Sequence, residues 1–319
     1  MTARHAAPNA ATSNRPRAMI FAGITLVLLL TTLVVARGAD GWSEDAAPVA
    51  AASRPTPSLS SSPSPDAEQV AEDARNEALT DRLKTLDTGG ATLSVTVLDL
   101  SDGRSAHYNV NSGLTYDTAS IVKIDILATL LLQAQDDGRA LTAREKSYAV
   151  PMIVDSDNAA ADALWEIIGG SDGLNAANER LGLTGTTAGT GPLWGLTQTT
   201  AADQLTLLSD IFGNISELTA DSQDYIRDLM GGISDGQDWG VSAAGDPTGL
   251  KNGWLERSAT SLWDISSVGE VTIGDHPCLL AVLSKDNAGM DAGISLVEKA
   301  AKETASVMEQ SENPASPSS

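Results

Sequence analysis

Cysteine and histidine are scarce in this chain of 319 residues, which has one cysteine and three histidines. A single thiol can neither close an intramolecular disulfide nor build a multi-thiolate metal site. Cys278 lies in an apolar run, so we expect a small buried hydrophobic residue there. His5 falls in the N-terminal tail. A zinc cluster or a Ser–His–Asp triad would have to use His107 or His276, and neither lies in a suggestive context.

Positive charge is also scarce. The chain has 20 Lys and Arg against 42 Asp and Glu, giving a net charge of −22. Such a surface repels phosphate backbones, and no stripe of basic residues offsets the repulsion. Nucleic acid is therefore excluded as a partner. No pattern indicates a metal or a cofactor, so we expect neither, and we expect a monomer.

The N-terminal region has a long uncharged apolar run, residues 18–36. As a helix it would span the hydrocarbon core of a bilayer. Arg4, Arg15 and Arg17 precede it, which favours a cytoplasmic tail over residues 1–17 and export of the rest. The sequence thus predicts a single-pass membrane anchor with an extracytoplasmic domain. A cleaved signal peptide is the competing interpretation.

Composition divides the remainder of the chain. Residues 37–66 are rich in Ala, Pro and Ser, which is typical of a disordered linker. Residues 309–319 have a similar composition and are predicted to be a disordered tail. Residues 67–308 are left as one domain.

Periodicity predicts an α+β domain between these segments. Leu93, Val95 and Val97 alternate with polar residues and indicate a strand. Strands at both ends of the domain would form one antiparallel sheet, with terminal helices covering it and an all-α block inserted. Helices are predicted at 67–86, 124–135, 159–168, 201–212, 222–230 and 290–308, and further strands at 106–110, 260–268, 271–273 and 278–284.

The first of three short motifs is Ser120-Ile121-Val122-Lys123, at the start of an apolar helix. A spacing of three places Ser120 and Lys123 on one helical face. A serine hydroxyl needs a neighbouring base to be a nucleophile, and a partly neutral lysine can be that base. An N-capping serine with a surface lysine is the alternative.

The second motif is Ser156-Asp157-Asn158, in a loop before a predicted helix. Its hydroxyl and carboxamide could converge on one cleft, although each of the three residues could equally well be an ordinary helix N-cap.

The third motif is Lys251-Asn252-Gly253, entering the C-terminal strands. A lysine on a strand, followed by a residue without a bulky side chain, suits a substrate carboxylate lying along the sheet edge. The alternative is a hairpin turn, which Asn-Gly favours.

In this order the three motifs resemble the signature of class A β-lactamases and penicillin-binding proteins. The resemblance extends over about 70–305 and implies the β-lactamase/D,D-peptidase-like fold. It implies that Ser120 is acylated, that Lys123 accepts its proton, and that Ser156 protonates the leaving group. The substrate-binding residues would be Asn158, Lys251, Asn252 and Gly253, and the backbone N–H groups of Ser120 and Trp254 would form the oxyanion hole.

Three departures from the family pattern affect the expected activity. Class A enzymes carry a loop glutamate that activates the deacylating water, but no acidic residue lies between Glu179 and Asp203, and Gln198 cannot act as a base. The segment between Ser120 and Ser156 is short, which predicts a more open cleft. Asn252 replaces the usual Thr or Ser; a nearby Arg257 could contact a substrate carboxylate instead, or remain solvated.

Three functions stay open on this reading. The first is a serine hydrolase or acyl-transferase that forms a slowly hydrolysed acyl-enzyme with β-lactams or D-alanyl peptides. The second is a functional β-lactamase. The third is a non-catalytic domain that binds or senses the cell wall.

Overall fold

The sheet that organises the domain is assembled from both ends of the chain. The computed structural model describes residues 65–109 and 113–312. In the sheet, the strands run antiparallel in the order β2-β1-β7-β6-β5. They are β1 (Thr92–Asp99), β2 (Ser105–Asn109), β5 (Asp246–Glu256), β6 (Trp263–Ile273) and β7 (His276–Asn287), while β3 (Tyr116–Asp117) pairs separately with β4 (Gln198–Thr199).

The terminal helices α1 (Pro65–Leu83) and α8 (Met290–Glu312) pack against each other and against the sheet. Leu79, Val95 and Val297 share one buried apolar cluster between them. Burying these side chains removes apolar surface from water and holds both chain ends on the sheet. Cys278 lies in the same cluster at 1% exposure, which confirms the expected buried residue.

A helical block is inserted between β3 and β5, as predicted. Its central helix is buried on all sides, with Ile124, Leu127 and Leu130 inaccessible to solvent. A helix that is apolar around its whole circumference must be surrounded by other elements. The block consists of α2 (Val122–Asp136), α3 (Ala143–Val154), α4 (Asn158–Ile167), α5 (Gly170–Leu181), α6 (Ala201–Phe212) and α7 (Ala220–Gly231).

Four of the six helices in the block, α3, α4, α6 and α7, begin at a side-chain cap. In α3, Thr142 Oγ1 accepts from the Glu145 N–H at 3.2 Å, and the Glu145 carboxylate accepts from the Thr142 N–H at 2.6 Å. This reciprocal pair satisfies two backbone donors at a helix N-terminus.

Several predicted boundaries differ from the structure by a few residues, and two of the differences change an element. The predicted strands 260–268 and 271–273 are one strand, β6, because Gly269 continues it instead of breaking it. A Cβ at Gly269 would lie 2.4 Å from the Gly249 carbonyl oxygen, so this glycine permits close strand packing. Helix α8 continues to Glu312, into the predicted tail 309–319.

The predicted cytoplasmic tail, membrane anchor and most of the linker lie outside the described residues, as do 313–319. Within 65–109 and 113–312, none of the helices combines the length and hydropathy needed to cross a bilayer.

Candidate active site

The first motif places its serine and lysine where the sheet meets the helical block. Ser120 lies in a single 3-10 turn, Ala119–Ile121, directly before α2. It makes no side-chain cap, because the residue at the N-cap of α2 is Ile121. Lys123, in the first turn of α2, is wholly inaccessible to solvent. The alternative of a capping serine and a surface lysine is therefore wrong.

The second motif gives each of its residues a different contact. Asp157 is the N-cap of α4, and its Oδ1 accepts from the Ala160 N–H at 2.6 Å. Ser156 adopts a left-handed backbone conformation with φ of 56°. Such a conformation is costly for a non-glycine residue and is often found at functional sites. The cap is made by Asp157, which leaves the Ser156 hydroxyl to the site.

Two lysines converge on the hydroxyl of Ser156. Lys123 Nζ lies 3.1 Å from Ser156 Oγ, and Lys251 Nζ lies 2.9 Å from the same oxygen. Lys123 Nζ also donates to the Ser156 carbonyl at 2.6 Å and to Asn158 Oδ1 at 2.8 Å. We call Lys123 and Lys251 the lysine pair.

Burial makes both lysines of the pair unusually acidic. Desolvation lowers the pKa of Lys123 to about 8, against the opposing charges of Asp157 and Asp162. Desolvation, helped by the charge of Lys123, lowers the pKa of Lys251 to about 7. A lysine that is partly neutral near pH 7 to 8 can accept a proton from a serine hydroxyl.

The third motif lies inside β5 and does not form a hairpin turn. A Cβ at Gly253 would be 2.6 Å from the Thr118 carbonyl oxygen and 3.0 Å from the Ser120 nitrogen. The missing side chain therefore lets β5 approach the backbone of Ser120. Trp254 follows in the same strand, and its ring contacts that of Trp239, with the centroids 6.2 Å apart. The oxyanion hole of Ser120 and Trp254 stays a prediction.

The side chain of Asn252 has a different place from the one expected for a substrate ligand. It is 1% exposed, and its Nδ2 donates to the carbonyl oxygens of Gln237 at 2.8 Å and Trp239 at 3.0 Å. Asn252 thus fastens the segment before residue 241 to β5. Its amide nitrogen is engaged by the backbone.

A cleft of about 850 Å³ extends from this site. Asn158 and Asp162 of α4 contribute to its walls, as do Trp194 and the chain after β5. Of the predicted site residues, Ser120, Lys123, Ser156, Asn158, Lys251 and Gly253 are brought together at or beside this cleft.

Sequence reasoning missed Trp194 and Asp162. Lys123 Nζ lies 5.0 Å from the Trp194 ring centroid, and Trp194 Nε1 donates to Asp162 Oδ1 at 2.7 Å. Asp162 is one helical turn after Asn158, a spacing that could have indicated it. Trp194 lies in the loop without carboxylates, and no periodicity points to it.

A second ionic cluster lies at the edge of the cleft. Arg257, which lines the cleft, pairs with Asp117 of β3 and, through Nε at 3.1 Å, with Asp264 of β6. Both carboxylates are buried, and we call them the aspartate pair. Burial raises the pKa of Asp117, and it raises that of Asp264 to about 6. Arg257 is therefore paired, although 40% of its side chain is exposed, and it compensates two buried acids.

Gln198 has a structural role in this cluster. Its Nε2 donates to Asp117 Oδ1, and its Oε1 accepts from Thr115 Oγ1 at 2.9 Å. Asp203, the first acidic residue after the loop, is buried and accepts from the Gly185 N–H and from Thr186 Oγ1. Neither residue is among those that line the cleft.

One group of side chains in the described part of the chain has the composition of a metal site: Asp99, Asp102 and His276. Arg104 already pairs with Asp99 at 3.1 Å and with Asp102 at 2.6 Å, and a guanidinium there opposes a cation. None of these residues lines the cleft.

The fold and site together define a class of protein. A class A β-lactamase from Bacteroides cellulosilyticus superposes with a TM-score of 0.62 at 18% identity, covering 75% of this chain and 99% of that one. A PBP-A mutant captured as an acyl-enzyme complex with penicillin G gives 0.59 at 20% identity, with 75% and 97% covered. The fold is therefore the α+β β-lactamase fold that the motifs implied.

Sequence comparison leads to the family. The model of the β-lactamase enzyme family matches residues 132–307, more than half of the chain. The chain belongs to this family, and its domain is class A-like. A Mycobacterium tuberculosis protein named "Putative lipoprotein LppW" is 31% identical over 177 residues, which cover 52% of this chain and 55% of the relative. The match thus spans about half the length of that relative.

Proposed function

We propose that this protein is a serine acyl-transfer enzyme that forms a covalent acyl-enzyme on Ser120 with β-lactams or D-alanyl peptides and hydrolyses it slowly. One observation carries the proposal: the Ser156 hydroxyl lies within hydrogen-bonding distance of two buried lysines with lowered pKa values. Burying two lysines costs desolvation free energy, and groups with pKa values shifted in this way are typical of sites of proton transfer.

We propose the following first half-reaction, in which the motif residues take the roles that the family resemblance implies. Ser120 Oγ attacks the substrate carbonyl, and its proton passes to neutral Lys123. The carbon–nitrogen bond then breaks, and the departing nitrogen takes the proton of Ser156 Oγ. Ser156 regains a proton from the lysine pair, to which it is already hydrogen-bonded. Lys251 would also attract the carboxylate of the substrate.

Slow hydrolysis is supported by the contacts of the carboxylates around the site. The loop between Glu179 and Asp203 contributes none to the cleft. Among the described residues, three carboxylates line the cleft, Asp162, Glu256 and Asp286, and none lies in that loop. Asp162 already accepts from Trp194. Removing a general base typically costs a factor of about 10² to 10⁴ in rate, so the acyl-enzyme should accumulate.

The test is intact-protein mass spectrometry of the full chain after incubation with benzylpenicillin, with Ser120→Ala in parallel. We expect the wild-type mass to increase by one penicillin and that of Ser120→Ala to stay unchanged. Wild-type protein that is folded but gains no mass and releases no product would overturn the proposal and favour a non-catalytic wall-binding domain.

A functional β-lactamase is the second candidate, and family membership favours it. A functional β-lactamase would differ from the slowly hydrolysing enzyme in one measurable respect. It would turn over a chromogenic cephalosporin repeatedly and leave no stable adduct. Steady hydrolysis that Ser120→Ala abolishes would establish it.

We also propose that the domain acts outside the cytoplasm, held by residues 18–36. The charge flanking that apolar run supports this location, as does the word lipoprotein in the relative's name. Fractionation of cells producing the full chain should find it in the membrane. Recovery of the intact chain only from the soluble cytoplasm would contradict the location.

A further inference from the structure

Trp194 covers the ammonium group of Lys123. Its ring centroid lies 5.0 Å from Nζ, within the range of a cation–π contact. The indole Nε1 donates to Asp162 Oδ1 at 2.7 Å. The ring is thus fixed from one side by α4 and lies against the lysine on the other.

The ammonium group of Lys123 has protein acceptors for all of its N–H donors and needs no water molecule as a partner. An ammonium group has three N–H donors. In this site the acceptors are the Ser156 carbonyl, Ser156 Oγ and Asn158 Oδ1. Since these account for three donors, the indole covers a face of the group that makes no further hydrogen bond.

The loop that carries Trp194 is held at several points. Thr197 Oγ1 accepts from the Gly189 N–H at 3.0 Å, and the Thr197 carbonyl accepts from the Thr118 N–H at 2.9 Å. Trp165 Nε1 donates to the Gly191 carbonyl at 2.8 Å. These hydrogen bonds hold the backbone on both sides of Trp194 and so fix the position of its indole.

We infer that Trp194 is a positioning residue that keeps water from the lysine side of the acyl-enzyme and so prolongs its lifetime. This inference rests on the proposed function. Hydrolysis requires a water oxygen to bond to the acyl carbon as the Ser120 Oγ–carbon bond breaks. One water proton returns to Oγ, and the acyl group leaves as a carboxylic acid. The indole occupies space beside Lys123 from which such a water could be deprotonated.

The charges that face Lys123 give the inference a second readout. Asp157 and Asp162 of α4 raise its pKa, whereas burial, to which the indole contributes, lowers it. Lys251 of β5 is hydrogen-bonded to the same Ser156 Oγ as Lys123. Removing the indole ends a cation–π contact, which favours the charged lysine, and part of the desolvation, which disfavours it. We expect desolvation to dominate, so the pKa of Lys123 should rise, whereas removing the Asp162 charge should lower it further.

The experiment follows the decay of the penicillin adduct on the full chain by mass spectrometry, and the acylation rate against pH. For Trp194→Ala we expect an adduct lifetime shortened about tenfold, a modest part of what a general base supplies. The acidic limb of its acylation profile should move to higher pH. Trp194→Phe, which retains a ring, should keep most of the lifetime, and Thr190→Ala, an exposed change in the same loop, all of it.

Asp162→Asn is the companion variant, since it keeps an acceptor for the indole and removes only the charge. Its acidic limb should move to lower pH, opposite to Trp194→Ala. An unchanged adduct lifetime and pH profile in folded Trp194→Ala would overturn the inference about Trp194 alone. If that variant does not fold, Trp194→Leu takes its place, and an unchanged adduct lifetime there would overturn the inference. An unshifted limb in Asp162→Asn would contradict the assignment of the limb to Lys123. No adduct on wild type would overturn the proposed function as well.

Discussion

Two buried ionic clusters flank the cleft, and they are compensated in different ways. The lysine pair is hydrogen-bonded to a hydroxyl, carbonyl oxygens and an amide, without a buried carboxylate among these partners. The aspartate pair is ion-paired to Arg257. Desolvation penalises the charged form in both, but only the second has an opposite charge in contact.

This difference suits the lysine pair to a chemical role and the aspartate pair to a structural one. A buried cation bonded only to neutral groups can lose its proton at modest cost and is suited to proton transfer. A buried carboxylate in contact with arginine is instead held in a fixed position by the ion pair, because arginine stays charged. Arg257 thereby links the cleft wall after β5 to β3, three residues before Ser120. We call this the scaffold role of the aspartate pair.

The largest expected effect comes from removing the base of the lysine pair. Lys123→Met should lower the rate of adduct formation by a factor of about 10² to 10⁴, the usual contribution of a general base. Stopped-flow acylation with a chromogenic cephalosporin measures it. Lys302→Met, an exposed change on α8, is the matched control. A rate within twofold of wild type, on the order of experimental scatter, would remove Lys123 from the mechanism.

The next effect concerns the scaffold. Arg257→Ala removes the ion-pair partner of two buried carboxylates. Such a loss costs about 3–5 kcal/mol for a fully buried pair and less here, because Arg257 is 40% exposed and Lys285 still acts on Asp117. We expect a loss of about 2 kcal/mol in the free energy of unfolding, measured in urea at pH 8. The loss should be smaller at pH 5, where Asp264, with its raised pKa, is protonated. Equal losses at both pH values would contradict the scaffold role.

A third effect is the pH dependence of acylation. Lys123 must be neutral to accept a proton, and its pKa is lowered to about 8. The acylation rate should therefore fall on the acidic side of that value, approaching about tenfold per pH unit. An acidic limb centred near pH 10 would show that the lysine pair retains ordinary pKa values.

The smallest effect tests a buried acid outside both clusters. Complete burial raises the pKa of Asp125 to about 8. The side-chain amide of Asn178, oriented with its nitrogen toward Asp125, donates to both carboxylate oxygens at 3.0 Å. Between the unfolded pKa near 4 and the folded value, only the folded state keeps the proton, so stability falls as pH rises. Asp125→Asn should flatten this slope between pH 5 and 8 in thermal melts, and an unchanged slope would count against the raised pKa.

Much of the fold followed from the sequence, since local patterns determine it. The predicted helix 201–212 coincides with α6, because its apolar residues recur at helical spacing between a capping Thr200 and Gly213. The strand break near Gly269 was wrong, because the use of that glycine depends on Gly249 of the neighbouring strand. Cross-strand proximity is not visible in a local pattern.

The site was predictable to a similar depth. The order of the motifs indicated Ser120, Lys123, Ser156 and Lys251, although only the structure shows that Asp157 makes the cap and Ser156 does not. The contact between Trp194 and Lys123 depends on the path of a loop. The aspartate pair depends on the meeting of β3 with β6. Neither could be inferred from spacing.

The most direct test of the account is a burst experiment with a chromogenic cephalosporin and the full chain. Covalent catalysis with slow hydrolysis predicts a rapid release of product equal to one equivalent of protein, followed by a much slower phase. Ser120→Ala should show neither phase. Steady turnover without a burst, or a burst that persists in Ser120→Ala, would contradict the claim that Ser120 is the nucleophile of a slowly hydrolysed acyl-enzyme.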